Sequence, residues 1–271
     1  MVVSTGSTRN SFIGGTLSSV VGYPLLFSWQ KGWLRAPQGR DEVRLRDGRT
    51  LLCDLSDSTQ RTMALGLFEP AETRVVTKIL KPGDTFIDVG AHIGWFTTIA
   101  ARQIGADGSV IACEPYPPNA AVLRGNLALN DLRNVRLVEM ALGSEPGELS
   151  LARTSDSGSI SALDWGPGQR TTTTMTTLDE VAADTPVITL LKMDVEGWEP
   201  HVLRGGSGTL RRTRNVLFEI NKPALQKAGS SAGELYDLLR EAGFVTFVPV
   251  AQRGLRRLVS DDRLFNVLAS K

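Results

Sequence analysis

The chain has 271 residues, of which 41% are hydrophobic and 22% charged, and its 30 Lys+Arg against 29 Asp+Glu leave a formal net charge of +1. That length and balance suit a soluble globular protein of one large domain with an N-terminal elaboration. No charge excess points to nucleic acid or an anionic membrane as partner, so a small-molecule substrate is expected.

Between Ser11 and Ser28 nine of eighteen residues are apolar, interrupted by Gly14, Gly15, Gly22 and Pro24. The stretch is too polar and too broken to span a bilayer, and it reads as an N-terminal helical cap with at most a weak membrane association. Only two cysteines occur, Cys53 and Cys113, each inside an apolar run. Neither spacing suggests a disulfide or zinc site, and a reducing cytoplasm is the expected compartment. Val43 to Leu51 alternates apolar and polar residues around Asp47-Gly48, which predicts a hairpin with a two-residue turn. Thr62 to Leu80 carries helical spacing up to Pro82-Gly83, with Glu69 and Glu72 read as solvated charges of an early turn. The boundary between N-terminal extension and main domain is set at residues 60 and 61.

From Thr85 onward short apolar runs alternate with helical patterns: Phe86 to Val89, Val110 to Cys113, Val135 to Met140, Val187 to Met193, Val216 to Ile220, Val245 to Val248 and Leu264 to Leu268. This is the rhythm of an α/β protein with a doubly wound, Rossmann-like, mostly parallel sheet of seven strands. The last two runs lack an intervening helix and predict an antiparallel edge hairpin joined through Gln252-Arg-Gly-Leu. Thr177 to Glu180 and Ser231 to Glu234 read as capping boxes, and Gly243 as the close of the last helix. Asp88, Glu114, Asp194, Glu196 and Glu219 all fall in or just beyond the C-terminal halves of strands, where ligands of open α/β sheets bind.

Phe86-Ile-Asp-Val-Gly-Ala-His-Ile-Gly94 reads as a strand, a glycine turn and a helix start. A dinucleotide fingerprint beginning at Gly90 would need glycines at positions 92 and 95, where this chain has His92 and Trp95. The loop therefore suits a cofactor without phosphates. Glu114, twenty residues after Gly94, can accept hydrogen bonds from both hydroxyls of an adenosine ribose. S-adenosylmethionine meets both conditions, and its cationic groups suit a crevice rimmed with carboxylates.

Asp88 to Gly94, Glu114-Pro, Asn126 with Asn130, Thr177-Leu-Asp179 and Lys192-Met-Asp-Val-Glu-Gly-Trp-Glu199 together resemble the FkbM family of S-adenosylmethionine-dependent methyltransferases. The resemblance covers about Glu72 to Ile220, and Lys-x-Asp-x-Glu-Gly-x-Glu is its more discriminating motif. It implies a class I methyltransferase fold acting on a hydroxyl of a sugar, a polyketide or another secondary metabolite. It further implies that Asp88, Gly90, Ala91, His92 and Gly94 surround the methionine end of the cofactor. Glu114 would hold the ribose, and Glu139-Met-Ala141 would border the adenine. His92 stands where the family often has Asn.

Asp194 and Glu196 end the fourth strand of the sheet and are the first candidates for the chemistry, with Lys192 on the same strand face as Asp194 and able to pair with it. An alcohol acceptor must lose a proton, and Asp194, Glu196, Glu199 and His201 are candidate bases. Ser157 and Ser159, in the polar loop after the third strand, and Glu199 and Glu219 are candidate substrate contacts. No metal is expected, although two close carboxylates could also orient an acceptor through a divalent ion. Six of seven residues from Thr171 to Thr177 are threonine, and Thr171 to Thr174 read as an edge strand with one hydroxylated face. Two alternatives stand beside the methyltransferase: a nicotinamide-dependent oxidoreductase, and an adenosyl-binding protein without turnover.

Overall fold

The computed structural model describes residues 24, 27, 28, 37–153, 160–163, 170–250 and 264–271. The expected N-terminal cap, Ser157, Ser159 and the Gln252 connection lie outside the described residues, apart from three positions of the cap. The chain divides into two compact units, Met1–Phe68 and Glu69–Lys271.

In the first unit β1 (Arg40–Arg44) pairs antiparallel with β2 (Thr50–Asp54). The connection is not the expected two-residue turn. Leu45 N–H donates to the Arg49 carbonyl and Gly48 N–H to the Leu45 carbonyl, leaving a three-residue loop in which Gly48 alone has positive φ, +84°. Asp47 fixes this loop by accepting from the Arg49 backbone N–H and pairing with its guanidinium at 2.8 Å. Cys53 is buried in β2 as a free thiol. A helix follows at Ser58–Ala64, capped by Asp57. The single helix expected from Thr62 to Leu80 is interrupted: Gly66 takes φ +69° and Pro70 starts a new helix at Pro70–Ile79. Proline is tolerated in a first turn, where its missing N–H has no intrahelical partner to lose.

The second unit contains β3 (Thr85–Val89), β4 (Ser109–Cys113), β5 (Val135–Val138), β6 (Ala141–Gly143), β7 (Gly147–Arg153), β8 (Ile160–Ser161), β9 (Arg170–Thr177), β10 (Ile188–Met193), β11 (Thr213–Asn221), β12 (Thr246–Pro249) and β13 (Leu264–Ser270). Seven of these form one sheet in the order β12-β13-β11-β10-β3-β4-β5. β5, β4, β3, β10 and β11 run parallel, and β13 pairs antiparallel with both β11 and β12. This is the class I methyltransferase fold, with the edge hairpin the sequence predicts. Every residue of β10 is buried, as a strand covered on both faces requires.

The third apolar run splits. β5 stops at Val138, and Ala141–Gly143 leaves the main sheet to pair with β9 in a second sheet ordered β6-β9-β7-β8. In β9 Thr172 and Thr174 are exposed and Thr173 is buried, so one face carries hydroxyls outward, but β9 is not the expected edge strand, because β6 and β7 pair with it on either side. Thr177 and Glu180 make a full capping box. Ser231 caps its helix alone, because Glu234 turns instead to the Ser230 hydroxyl and Arg204. Gly243, at φ +93°, ends that helix with Phe244 N–H returning to the Leu239 carbonyl.

Candidate functional site

The strand ends of the main sheet bring the predicted carboxylates together, and each side of the crevice is held differently. On β3 Asp88 is buried, and the Thr97 hydroxyl donates to its Oδ2 at 2.6 Å. Its Oδ1 is enclosed with no hydrogen-bond partner. Lys192, the register partner of Asp88 on β10, reaches Asp194 Oδ2 at 3.4 Å and lies 4.8 Å from the Phe96 ring centroid. The pairing expected between Lys192 and Asp194 is therefore present. Burial raises the Asp88 carboxyl against the opposing pull of Lys192 and Thr97. Burial disfavours the Lys192 charge, but Asp194, Asp88 and Glu69 together more than offset this and push its pKa up.

The glycine turn is tied to β4. Gly90 and Ala91 N–H groups both donate to the Cys113 carbonyl, and His92 N–H donates to Glu114 Oε2 at 2.8 Å. Tyr116 N–H donates to Glu114 Oε1 at 3.0 Å, and Asn126 Nδ2 pins the Ile93 carbonyl at 2.8 Å. Glu114, expected at a ribose, thus already accepts one backbone bond on each oxygen, and the Asn119 side chain donates to it as well. Burial pushes this carboxyl up to about 7 despite those bonds. The glycines have protein reasons as well as the expected ligand reason. At Gly90, φ +81°, a Cβ would fall within the Asp194 carbonyl oxygen. At Gly94, φ +91°, it would overlap the Leu123 side chain. Asn126, Asn130 and Asp179 of the family pattern likewise act structurally: Asn130 donates to the Asn126 carbonyl, and Asp179 caps Ser207–Arg212 through Gly208 and Thr209.

After β10 the chain turns sharply between Asp194 and Glu199. Asp194 N–H donates to the Val89 carbonyl at 3.0 Å, which locks this turn to β3. Glu196 takes φ +54° and Gly197 φ +94°. Left-handed geometry at a non-glycine residue costs on the order of 1 kcal/mol or more and tends to persist at ligand sites. Glu199 holds the turn by accepting from Val195 and Gly197 N–H groups on Oε1, at 3.0 and 3.4 Å. It is fully buried, its Oε2 has no partner, and burial pushes it up to about 7. Expected as a substrate contact, Glu199 instead shapes the turn from inside.

Glu219, half-buried on β11, stands opposite Asn266 of β13 and has an enclosed, unpartnered Oε2. Burial raises it well above the ordinary carboxylate range, and Asp194, Glu196, Glu199 and Glu69 raise it further. Glu69 and Glu72 correct the sequence reading of two solvated charges. Glu72 is buried and accepts from Asn266 Nδ2 at 3.1 Å. Glu69, half-buried at φ +37° before Pro70, acts electrostatically on both Lys192 and Glu219.

His201 is not brought to these carboxylates. Its ring stacks on Trp198 at 3.8 Å, and the charges acting on it are Arg204 and Glu234, with burial lowering its pKa. Ala141 is buried in β6 opposite Met175, and Glu139 pairs with Arg124 at the surface. Among the described residues no three His, Cys, Asp or Glu side chains converge as metal ligands would. The carboxylates are spread along four elements around one lysine. That donor set, with the enclosed oxygens of Asp88 and Glu219, fits an extended organic cation such as S-adenosylmethionine. Trp95, whose indole N–H donates to Thr73 at 3.1 Å, is buried where a dinucleotide loop would carry glycine. No helix among the described residues is long and apolar enough to cross a membrane.

A family model described as a methyltransferase FkbM domain matches residues 88–246. An arsenite methyltransferase of Halobacterium salinarum is 38% identical over 76 residues, 28% of this chain and 18% of that protein. A Schizosaccharomyces pombe protein named as a ribosomal RNA methyltransferase is 29% identical over 118 residues, 39% of each chain. The 2-O-methyltransferase NoeI of Sinorhizobium fredii is 24% identical over 220 residues, 72% of this chain and 88% of NoeI. The chain thus spans less than half the length of the first two relatives and most of the third.

Proposed function

Because the chain belongs to the FkbM methyltransferase family and is an S-adenosylmethionine-dependent methyltransferase, we propose that its acceptor is a hydroxyl oxygen of a small molecule such as a sugar, a glycosylated compound or a polyketide. The observation that carries this reading is the run of carboxylates at the ends of β3, β10 and β11, with enclosed oxygens on Asp88 and Glu219 and the buried Lys192 paired to Asp194. Such a wall offers acceptors to hydroxyl groups and repels phosphates, which argues against an RNA substrate. The alignment with the 2-O-methyltransferase NoeI over 220 residues supports the same acceptor chemistry.

The cofactor supplies a methyl group on a positively charged sulfur, so the leaving group is already activated. The protein's part is placement and charge. Asp88, Gly90, Ala91, His92 and Gly94 would hold the methionine end, with Glu114 taking the ribose and Ala141 bordering the adenine. Lys192 fixes the direction of Asp194, and Glu199 fixes the turn that presents Asp194 and Glu196. Holding donor and acceptor in line supplies on the order of 7 to 11 kcal/mol of barrier reduction.

Calorimetric titration with S-adenosylmethionine, followed by transfer of a radiolabelled methyl group to a panel of sugars and polyketide alcohols, tests the reading. A labelled methyl ether is expected. Label found only in nitrogen- or carbon-bound methyl groups, or only in RNA, would overturn the hydroxyl acceptor.

A further inference from the structure

We propose that Asn266, held in one orientation by Glu72, reads a second hydroxyl of the acceptor, so that the enzyme selects compounds carrying more than one hydroxyl. The inference deepens the proposed function and rests on it.

Strand register sets out where such an acceptor lies. Met193 of β10 pairs with Val89 of β3 and with Phe218 of β11, and Val89 pairs with Cys113 of β4. One residue further on, Asp194 N–H donates to Val89, Gly90 N–H to Cys113 and Glu114 N–H to Val138, which carries the same alignment past the strand ends. Glu114, Gly90, Asp194, Glu219 and Asn266 therefore stand in one row across five neighbouring strands. Glu114 and Gly90, proposed for the ribose and the methionine end, occupy one end of that row. An acceptor approaching the methyl group in line then enters over the other end, at β11 and β13.

At that end three side chains meet. The Asn266 carbonyl accepts from Val250 N–H at 2.8 Å, so the backbone polar groups of Asn266 face β12. Asn266 and Glu219 are accordingly a non-hydrogen-bonded pair of the antiparallel ladder, with Cα atoms about 4.5 Å apart and side chains on the same face. From the helix Pro70–Ile79 the buried Glu72 crosses to β13 and accepts from Asn266 Nδ2 at 3.1 Å. A carboxylate offers acceptors, so the amide nitrogen faces it and the amide oxygen turns away. Glu72 thereby fixes which end of the half-buried Asn266 amide is presented. Thr73, the next residue, accepts from the Trp95 indole N–H at 3.1 Å, so one helix anchors this orientation to the residue that follows the glycine turn.

An oriented Oδ1 complements a hydroxyl donor and does not complement a ketone or ether oxygen. Asn266 lies two strand spacings beyond Asp194, roughly 10 Å, so the hydroxyl it reads is not the one that takes the methyl group. Asn266 is the recognising residue and Glu72 a positioning residue.

The test is the radiolabelled transfer assay, run with each alcohol the wild type methylates and with counterparts in which every remaining hydroxyl is replaced in turn by hydrogen. For the wild type one such deoxy counterpart is expected to show a KM raised about tenfold or more, with kcat within about threefold. Asn266→Ser withdraws the amide. It should raise KM for the parent alcohol about tenfold and lose the discrimination against that counterpart. Glu72→Gln should raise the same KM severalfold and narrow the discrimination, because an amide facing an amide lets Asn266 present either end. Combining Glu72→Gln with Asn266→Asp reverses donor and acceptor within the pair while still presenting an oxygen, and should restore both. Calorimetric affinity for S-adenosylmethionine should stay within about twofold in every variant. Undiminished discrimination by Asn266→Ser overturns the inference alone, as does an alcohol with a single hydroxyl methylated as fast as the rest. Variants that lose S-adenosylmethionine binding along with acceptor binding also overturn it, by making the pair a structural tie. A wild type that methylates no alcohol overturns the reading beneath it as well.

Discussion

At the ends of β3 and β4 the protein satisfies most of its own polar groups, the enclosed Oδ1 of Asp88 apart. Glu114 takes the N–H groups of His92 and Tyr116, the Ile93 carbonyl takes Asn126, and the Gly90 and Ala91 N–H groups share the Cys113 carbonyl. At the ends of β10 and β11 the same accounting does not close. Glu199 and Glu219 each carry an enclosed oxygen without a partner, Glu196 holds a left-handed conformation, and Lys192 serves Asp194, Asp88 and Glu69 at once. A buried polar group left unpaired costs on the order of 1 to 3 kcal/mol, so the second region, with two such oxygens against one on Asp88, spends more stability than the first. The first side is a cradle closed largely by its own backbone, and the second keeps more of its carboxylate oxygens without a partner.

If the cradle is rigid, a change to its floor should be the most damaging single substitution. Gly90→Ala places a methyl group against the Asp194 carbonyl at φ +81°. Left-handed strain and overpacking together are expected to remove about 4 kcal/mol, read as a drop in the urea midpoint with unchanged slope. Recovery of wild-type stability would mean that the ends of β3 and β10 can part, and the contrast between a fixed and a strained side would weaken. On the other side, Lys192→Met leaves Asp88 and Asp194 without their shared cation. A loss of about 3 kcal/mol is expected at neutral pH, shrinking in acid as the carboxylates take up protons. A loss independent of pH would show that Lys192 matters for packing on Phe96 rather than for charge.

The buried carboxyls make pH the next probe. Glu114 and Glu199 are both pushed up to about 7 in the folded protein from 4.5. The folded state therefore holds protons that the unfolded chain has already lost, so stability from these groups is present below 4.5 and falls as pH rises toward 7, then levels. Replacing the strained partner, Glu199→Gln, keeps an oxygen for the Val195 and Gly197 N–H groups but removes the titration. Between about pH 5 and about pH 8 the wild type should lose on the order of 2 kcal/mol more than this variant. Parallel curves would place the strain elsewhere.

Much of this contrast was legible in the residue string, for different reasons on each side. Strands β3, β4 and β10 announce themselves because both faces are buried, and Asp88, Glu114, Asp194 and Glu219 follow from strand ends. The Lys192–Asp194 pair follows from alternation along one strand. Glu69 and Glu72 were not legible, since a charge in a first helical turn looks solvated until the helix is laid against a sheet. Nor was the fate of the third run, whose Ala141–Gly143 leaves for a second sheet: apolar content marks a strand but not its partner. The two glycines were found for an incomplete reason, because Asp194 and Leu123 lie 104 and 29 residues away in sequence from Gly90 and Gly94 and their closeness is a tertiary fact.

The smallest expected effect concerns His201, one helical turn beyond the strained loop. Its ring covers Trp198, whose indole N–H donates to the Leu142 carbonyl at 3.2 Å, so the stack braces the loop from its outer side. His201→Ala should cost about 1 kcal/mol through the lost ring contact, and cofactor affinity should stay within about twofold. The pH dependence of S-adenosylmethionine binding should also match the wild type, because the charges acting on His201 are Arg204 and Glu234 and not the crevice carboxylates. Matched calorimetric titrations at about pH 6 and about pH 8 check this. A shift confined to the variant would extend the unsatisfied side outward to the histidine. No shift would bound that side at Glu199, where the carboxylate that holds the turn is also the last one the ligands can feel.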